Sequence, residues 1–428
     1  MNVISRTRGA KILGGIALVG ASALVLAGCS GGGNDAAAPS ASSGGGGAVS
    51  EADGTFSVGT ILPATGNLAF LGPPEVAGVK LAIKDIEATG DAFPFKTTLT
   101  ERDSGDTTTD IATQSASELV SAGADVVIGA ASSGVSFTFI DQLVNAGIVQ
   151  ISPANTSPDF TTYADDGYYW RTAPSDVLQG RVLGNLMVGD GAANVGIIYI
   201  NDPYGTGLKD NATTAIEAAG GEVSVAVPYN PGDTVFTSQV DQLLASQPDA
   251  IAVIAFEETS SIIPQLVSTQ GYAASKVYFV DGNLSNSYEF PAGTLQGAKG
   301  TLPGNPADTD FQSRLKEIDP ALTDYSYAPE SYDAVIVAAL AAAQAKDDSG
   351  TAIRDNMQSV SEGGEKCTTF ADCLALINDG KDIDYDGVSG PITFDENGDP
   401  TEAYIGIYQY GADNKYTLLN TEFGSLNE

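Results

Sequence analysis

From Phe56 onward the chain alternates two spacings of hydrophobic residues. Short runs such as FSVGTIL (56–62) are apolar at every or every second position, the mark of a strand with one or both faces buried. Between them lie longer segments whose apolar residues recur every three or four positions. Val76, Val79, Ile83 and Ile86, for instance, put one stripe on a helix over 75–88. The alternation continues through FKTTLTE (95–101), a helix over 111–122, DVVIG (125–129), a helix over 135–146 and GIVQIS (147–152). A second series begins after WRTAP (170–174). It runs helix 176–188, NVGIIYI (194–200), helix 205–219, EVSVAVPY (222–229), helix 236–245, AIAVIAF (250–256), helix 259–270 and KVYFVDG (276–282). A helix over 329–345 and terminal strands at GPITFD (390–395) and EAYIGIYQY (402–410) complete the pattern. Repeated βα units predict parallel sheets covered on both faces, here in two successive sets with a break near Pro174.

The ends and the composition narrow the class. Arg6, Arg8 and Lys11 precede an apolar run over 12–26 and then Ala27, Gly28 and Cys29, so residues 1–28 read as a secretory signal. Its end is similar to a bacterial lipobox, which implies Cys29 as the lipid-modified first residue of the mature chain. Residues 29–53 are mainly Gly, Ser and Ala and predict a flexible tether that holds the folded part near a membrane. The rest of the 428-residue chain exceeds one comfortable core, so two lobes are expected. A net charge of −35 opposes nucleic acid and anionic lipid but does not bear on a zwitterion. The chain has no histidine, which removes His-based triads, the usual zinc and haem ligands and the commonest general base. Cys367 and Cys373 are predicted to form a disulfide in an exported protein.

The candidate chemistry sits in three polar loops at strand ends, where parallel sheets gather ligands and helix starts offer free N–H groups. These are Ala131-Ser132-Ser133-Gly134, Ala154-Asn155-Thr156-Ser157 and Asp281-Gly282-Asn283. A free α-amino acid leaving water needs donors for its carboxylate and acceptors, one of them charged, for its ammonium, because either ion buried alone costs several kcal/mol. Ser133 and Thr156 offer hydroxyls and N–H groups, Ala154 a carbonyl and Asp281 the negative charge. Singly, each such residue is an ordinary helix or turn cap.

Longer blocks carry a resemblance. VGTILPATGNLAFLGPPEVAGVKLAIKDIEATG, VVIGAASSGVS, GIVQISPANTSPDF, YYWRTAPSDVLQG, VGIIYINDPYGTGL and GVSGPITFDENGDP, in that order, are similar to the type I periplasmic solute-binding lipoproteins of the branched-chain amino acid ABC transporter class. The resemblance implies an α/β fold of two parallel-sheet, Rossmann-like lobes joined by three crossovers. It places them at about 54–174 plus 304–398 and 175–303 plus 399–428. It implies that Ser133, with Ser132 beside it, and Ala154 and Thr156 hold the α-carboxylate and α-ammonium, and that an acid of the second lobe, Asp281, completes the ammonium site. Many relatives carry Glu where Asp281 stands, so a water can intervene. Tyr204 and Phe256 match aromatic wall positions, Leu71 stands where some relatives have a ring, and Tyr327 is a further wall candidate.

The implied function is capture of an amino acid, headed by leucine, isoleucine and valine, through hinge closure and its delivery to an ABC permease and ATPase. A monomer on the extracytoplasmic face, lipid-anchored, without cofactor, metal or enzymatic activity is expected. Rival readings keep the fold and change the solute to urea, a short amide or an aromatic acid, or make the chain a sensory ectodomain. DIDYDG (382–387) resembles the start of a calcium loop but has Thr393 where a bidentate Glu is needed. Ser132 and Ser133 have no base to activate them as nucleophiles.

Overall fold

The strands assemble into two large sheets and a small two-stranded one within one compact unit in a computed structural model that describes residues 50–426. The predicted signal, Cys29 and the tether as far as residue 49 lie outside the described residues. Ser50 is already fixed: its N–H donates to the Ala146 carbonyl at 3.0 Å and its hydroxyl to Asp125 at 2.7 Å.

The first sheet contains β1 (Thr55–Leu62), β2 (Lys96–Asp103), β3 (Val126–Gly129), β4 (Val149–Ser152) and β5 (Tyr169–Arg171). All pairs are parallel in the order β2-β1-β3-β4-β5. Helices α1 (Gly72–Glu87), α2 (Ile111–Ala122), α3 (Ser133–Ser136) and α4 (Ile140–Asn145) connect its strands. Every residue of β3 and β4 is buried, as a strand covered on both faces must be. The chain then passes to α5 (Asp176–Gly189), β6 (Asn194–Ile200), α6 (Pro203–Ala218), β7 (Glu222–Tyr229), α7 (Thr237–Ala245), β8 (Ala250–Ile254), α8 (Thr259–Ile263), β9 (Val277–Phe279) and β10 (Lys299–Pro303). It returns to the first sheet through α9 (Thr309–Ile318), α10 (Ala328–Ala345) and α11 (Gly350–Asn356), then β11 (Glu365–Cys367), α12 (Phe370–Asn378) and β12 (Ile383–Tyr385). A third passage leads to β13 (Glu402–Tyr410) and β14 (Tyr416–Ser425), at the edge of the second sheet, whose order is β14-β13-β10-β9-β8-β6-β7.

Several expectations need correction. The second sheet is not wholly parallel: β13 pairs antiparallel with both β10 and β14. The helix expected over 135–146 is two short pieces, because Phe139 leaves helical geometry at φ −133°. The helix expected over 259–270 is α-helical only to Ile263; from Pro264, which has no N–H to donate, it widens to a π-helical turn. GPITFD forms no strand, only single bridges of Pro391 with Asp386 and of Phe394 with Pro400. Strands β5, β10, β11, β12 and β14 and helices α9, α11 and α12 were not foreseen.

Close helix contacts bring distant residues together. A side chain on Gly180 or Gly184 of α5 would press to 2.8 Å from the Ala212 nitrogen or 2.9 Å from the Ala212 carbonyl, so only glycine lets α5 lie this tightly on α6. That contact sets the first turn of α5 beside Tyr204. Helix α10 is buried over almost its whole surface between the first sheet and its neighbours, which its nearly unbroken apolar sequence requires.

Cys367 and Cys373 are bonded, their Cα atoms 5.3 Å apart. Closing so short a loop restricts the unfolded chain by about 2 kcal/mol. A Cys367→Ser, Cys373→Ser double variant is expected to lose about that much stability, read from urea denaturation. Next to the bond, Lys366 pairs with Asp384 at 3.2 Å and Asp386 at 2.9 Å, so the DIDYDG acids serve a surface ion pair.

Candidate ligand-binding site

The loop that ends β4 is held in place by three side chains. Ser152 donates its hydroxyl to the Ala130 carbonyl at 2.7 Å and accepts the N–H groups of Ala154 and Asn155 at 3.2 and 2.9 Å. Asn155 donates to the carbonyls of Ala130 and Ala131 at 3.0 and 2.9 Å, lacing this loop to the one after β3. From beneath, Arg171 donates to the carbonyls of Ser157 at 2.7 Å and Asn155 at 3.3 Å. Its guanidinium is fixed in turn by Asp399 through bonds of 2.6 and 2.8 Å. The PANTS segment therefore has its backbone pinned outside the sheet ladder. Ser132 caps α3, accepting from Val135 N–H at 3.4 Å, and the Ser133 hydroxyl accepts the Ser157 N–H at 3.3 Å.

Opposite these loops stands Asp281, just past β9 and 4% exposed. Its Oδ1 accepts from the Tyr204 hydroxyl at 2.7 Å and Gln179 Nε2 at 3.0 Å, and its Oδ2 from the Tyr327 hydroxyl at 2.7 Å. Burial raises the pKa of this carboxyl, and the three donors oppose that rise. Tyr204 and Phe256 stack with centroids 5.2 Å apart and planes 14° from parallel. Tyr327 reaches Asp281 from the start of α10, where its backbone is left-handed at φ +59°, a strained state for a bulky residue.

Between the two sides lies a small hollow of about 10 Å³. Ala131, Ser132, Ser133 and Ala154 form one wall; Tyr204, Phe256, Asp281, Gly282 and Tyr327 form the other; Leu68 and Leu71, from the loop after β1, close it. Of the residues that the resemblance assigns to ligand contact, all but Thr156 touch this hollow. Thr156 is fully buried, and its hydroxyl donates to Asp176 Oδ2 at 3.0 Å. Direct bonds tie the sides together: Ser157 donates to the Pro203 carbonyl at 3.0 Å, and the Asn67 carbonyl accepts the Glu257 N–H at 3.2 Å. Larger hollows lie beside α12 and near β10, the latter sharing Tyr327, but neither gathers the strand-end loops.

A family profile described as "Periplasmic binding protein" matches residues 55–415. The chain belongs to that family. Among curated members, a Brucella abortus protein named Leu/Ile/Val-binding protein homolog 1 is 26% identical over 370 residues, covering 85% of this chain and 92% of the relative. A Halobacterium salinarum protein named chemotactic signal transduction system substrate-binding protein BasB is 29% identical over 293 residues, 65% of this chain and 68% of its own. Solved periplasmic binding proteins share the fold. LivJ of Streptococcus pneumoniae, in complex with isoleucine, superposes with a TM-score of 0.70 at 20% identity, over 87% of this chain and 99% of that one. A solute-binding protein from R. palustris in complex with benzoate gives 0.67 at 19% identity, over 86% and 96%. The fold of this periplasmic binding protein is therefore the two-lobed type I arrangement.

Asp176, Gln179 and Leu68 were missed in the sequence. An acid in the first turn of a helix is the usual complement to the helix dipole, so Asp176 after Ser175 reads as a capping feature and nothing more. Gln179 shares its helical face one turn on, a juxtaposition that became meaningful only once α5 was seated on α6.

Proposed function

We propose that this periplasmic binding protein captures a free amino acid with a small aliphatic side chain and delivers it to an ABC permease and its ATPase. The observation that carries the reading is Asp281: a buried carboxylate faces a wall of hydroxyls and pinned backbone across a hollow otherwise closed by Leu68, Leu71 and Phe256. Ser133 receives the α-carboxylate, Asp281, the Ala154 carbonyl and the Thr156 region receive the ammonium, and the leucines with Phe256 and Tyr204 enclose the side chain. Contacts from both sides make ligand and closure interdependent, since a solute that touched one lobe alone could not favour the closed state. Hinge closure of periplasmic binding proteins is a general example of this principle.

The names of the relatives support the same reading, and the lipobox-like end Leu26-Ala27-Gly28-Cys29 supports lipid attachment through Cys29 on the extracytoplasmic face. An aromatic acid such as benzoate, bound by one structural neighbour, would bring a carboxylate toward Asp281 with no cation to offset it. The likeness to BasB favours a second reading, in which the same capture event feeds a sensory partner.

The test is a thermal-shift screen of the common amino acids, urea and benzoate. A ligand at 100 times its Kd adds about 2.7 kcal/mol of stability, so a true ligand raises Tm clearly. Leucine, isoleucine and valine are expected to respond; a shift with urea or benzoate and with no amino acid would overturn the assignment.

A further inference from the structure

Two carboxylates stand behind the hollow, and only one is well satisfied. Asp281 has its three side-chain donors. Asp176, fully buried, has one: Thr156 donates to Oδ2, while Oδ1 meets no hydrogen-bonding partner. The surrounding groups do not supply the missing positive charge. From β5, Arg171 acts on Asp176, but its guanidinium is already committed to Asp399 and the loop carbonyls. Asp202, at the start of α6, adds negative charge. Tyr204 from α6 and Tyr327 from α10 are neutral donors whose own ionisation is pushed up. Gln179, on α5 with Asp176, is neutral and is held at 3.1 Å from the Thr301 hydroxyl of β10. Burial, and then the charge of Asp281, push the Asp176 carboxyl well above the ordinary range. Asp176 lies one helical turn from Gln179, which holds Asp281 at 3.0 Å, and two buried anions set so, with no cation committed to either, resist being ionised together.

We propose that Asp176 and Asp281 work as a paired acid that holds one proton in the ligand-free protein and releases it as the ligand's ammonium enters, making Asp176 a second determinant of amine recognition. This rests on the amino-acid reading above. The exchange balances: a carboxyl O–H bond breaks, its proton leaves to solvent, and the ammonium keeps its three hydrogens. At the ammonium end one positive charge goes out for one that comes in, and the ligand's carboxylate is met separately by donors at Ser133. Thr156 links the two events, because its hydroxyl donates to Asp176 Oδ2 at 3.0 Å while its backbone belongs to the loop that carries Ala154.

The experiment is calorimetric titration of the full chain with L-leucine in two buffers of different ionisation enthalpy, repeated from mildly acidic to neutral pH. Apparent heats should differ between buffers by an amount approaching one proton released per leucine. Affinity should fall by up to about tenfold per pH unit on the acid side of the pair's titration. Asp176→Asn should bind leucine more weakly, without proton release and with a flatter pH profile. Should that variant fail to fold, infrared difference spectra of the wild type decide instead: the carbonyl band of a protonated carboxyl is lost when leucine binds. Leucine binding with equal heats in both buffers and no change in that band overturns the proposal while leaving the amino-acid reading intact. Full proton release retained in Asp176→Asn also overturns it. The absence of binding by any amino acid removes both.

Discussion

In Asp281→Asn, the melting response to leucine is expected to vanish while the ligand-free protein melts no lower than the wild type. The two effects have opposite causes in one carboxylate. Asparagine keeps the shape and one carbonyl to accept from Tyr204 and Gln179, so the local scaffold survives, and the Tyr327 hydroxyl can turn to accept where it now donates. What disappears is the negative charge. Truncating one partner of a buried, hydrogen-bonded charge pair costs about 2–5 kcal/mol, or roughly 30-fold or more in affinity. Ligand-free stability moves the other way. Burial raises the Asp281 pKa in the folded protein, so folding favours its protonated form. That contribution is fully present below the unfolded pKa of about 3.9 and is lost as pH rises through the raised folded value. At neutral pH the ionised side chain is thus a burden on the fold, and Asn removes it. Calorimetric melting with and without leucine reads both signs at once. A preserved leucine shift would mean that the amine is held elsewhere.

Much of this site could be anticipated because its parts are local. A loop that follows an apolar strand and carries Ser133, Ala154 or Asp281 announces both its place at a strand end and its donor or acceptor chemistry within a few residues. The α/β alternation was equally local, since spacing along each segment decides its type. What stayed hidden depends on contacts between segments far apart in the chain. Asp176 and Gln179 gain their meaning from the glycine-lined seat of α5 on α6. Arg171 and Asp399 are 228 residues apart, and nothing near either one points to the other. The break at Phe139 escaped notice because apolar spacing continues across it while the backbone turns. Strand β14, with most of its residues exposed, lacks the apolar alternation that marks a strand.

Removing Asp399 alone, as in Asp399→Ala, should be among the most destabilising single changes in the molecule. Arg171 is wholly buried and Asp399 nearly so, with side-chain exposures of 0% and 2%. The pair is bidentate, and Thr161 adds its hydroxyl to Asp399 Oδ2 at 2.6 Å. Loss of one partner leaves a guanidinium in the interior with only carbonyls and a hydroxyl to face, which costs about 3–5 kcal/mol. Urea denaturation should show the midpoint falling accordingly, with little change in slope. Replacing both partners by apolar residues, Arg171→Met with Asp399→Leu, separates two roles. A buried pair exchanged for packing is often close to neutral, so the double variant should regain much of the stability lost by the single one. It should not regain leucine affinity, because Arg171 also holds the carbonyls of Asn155 and Ser157 that shape the loop bearing Ala154. Recovery of stability without recovery of binding assigns the pair to the support of that loop as well as to the fold. Equal recovery of both would show that the ion pair does nothing for the loop beyond keeping the protein folded.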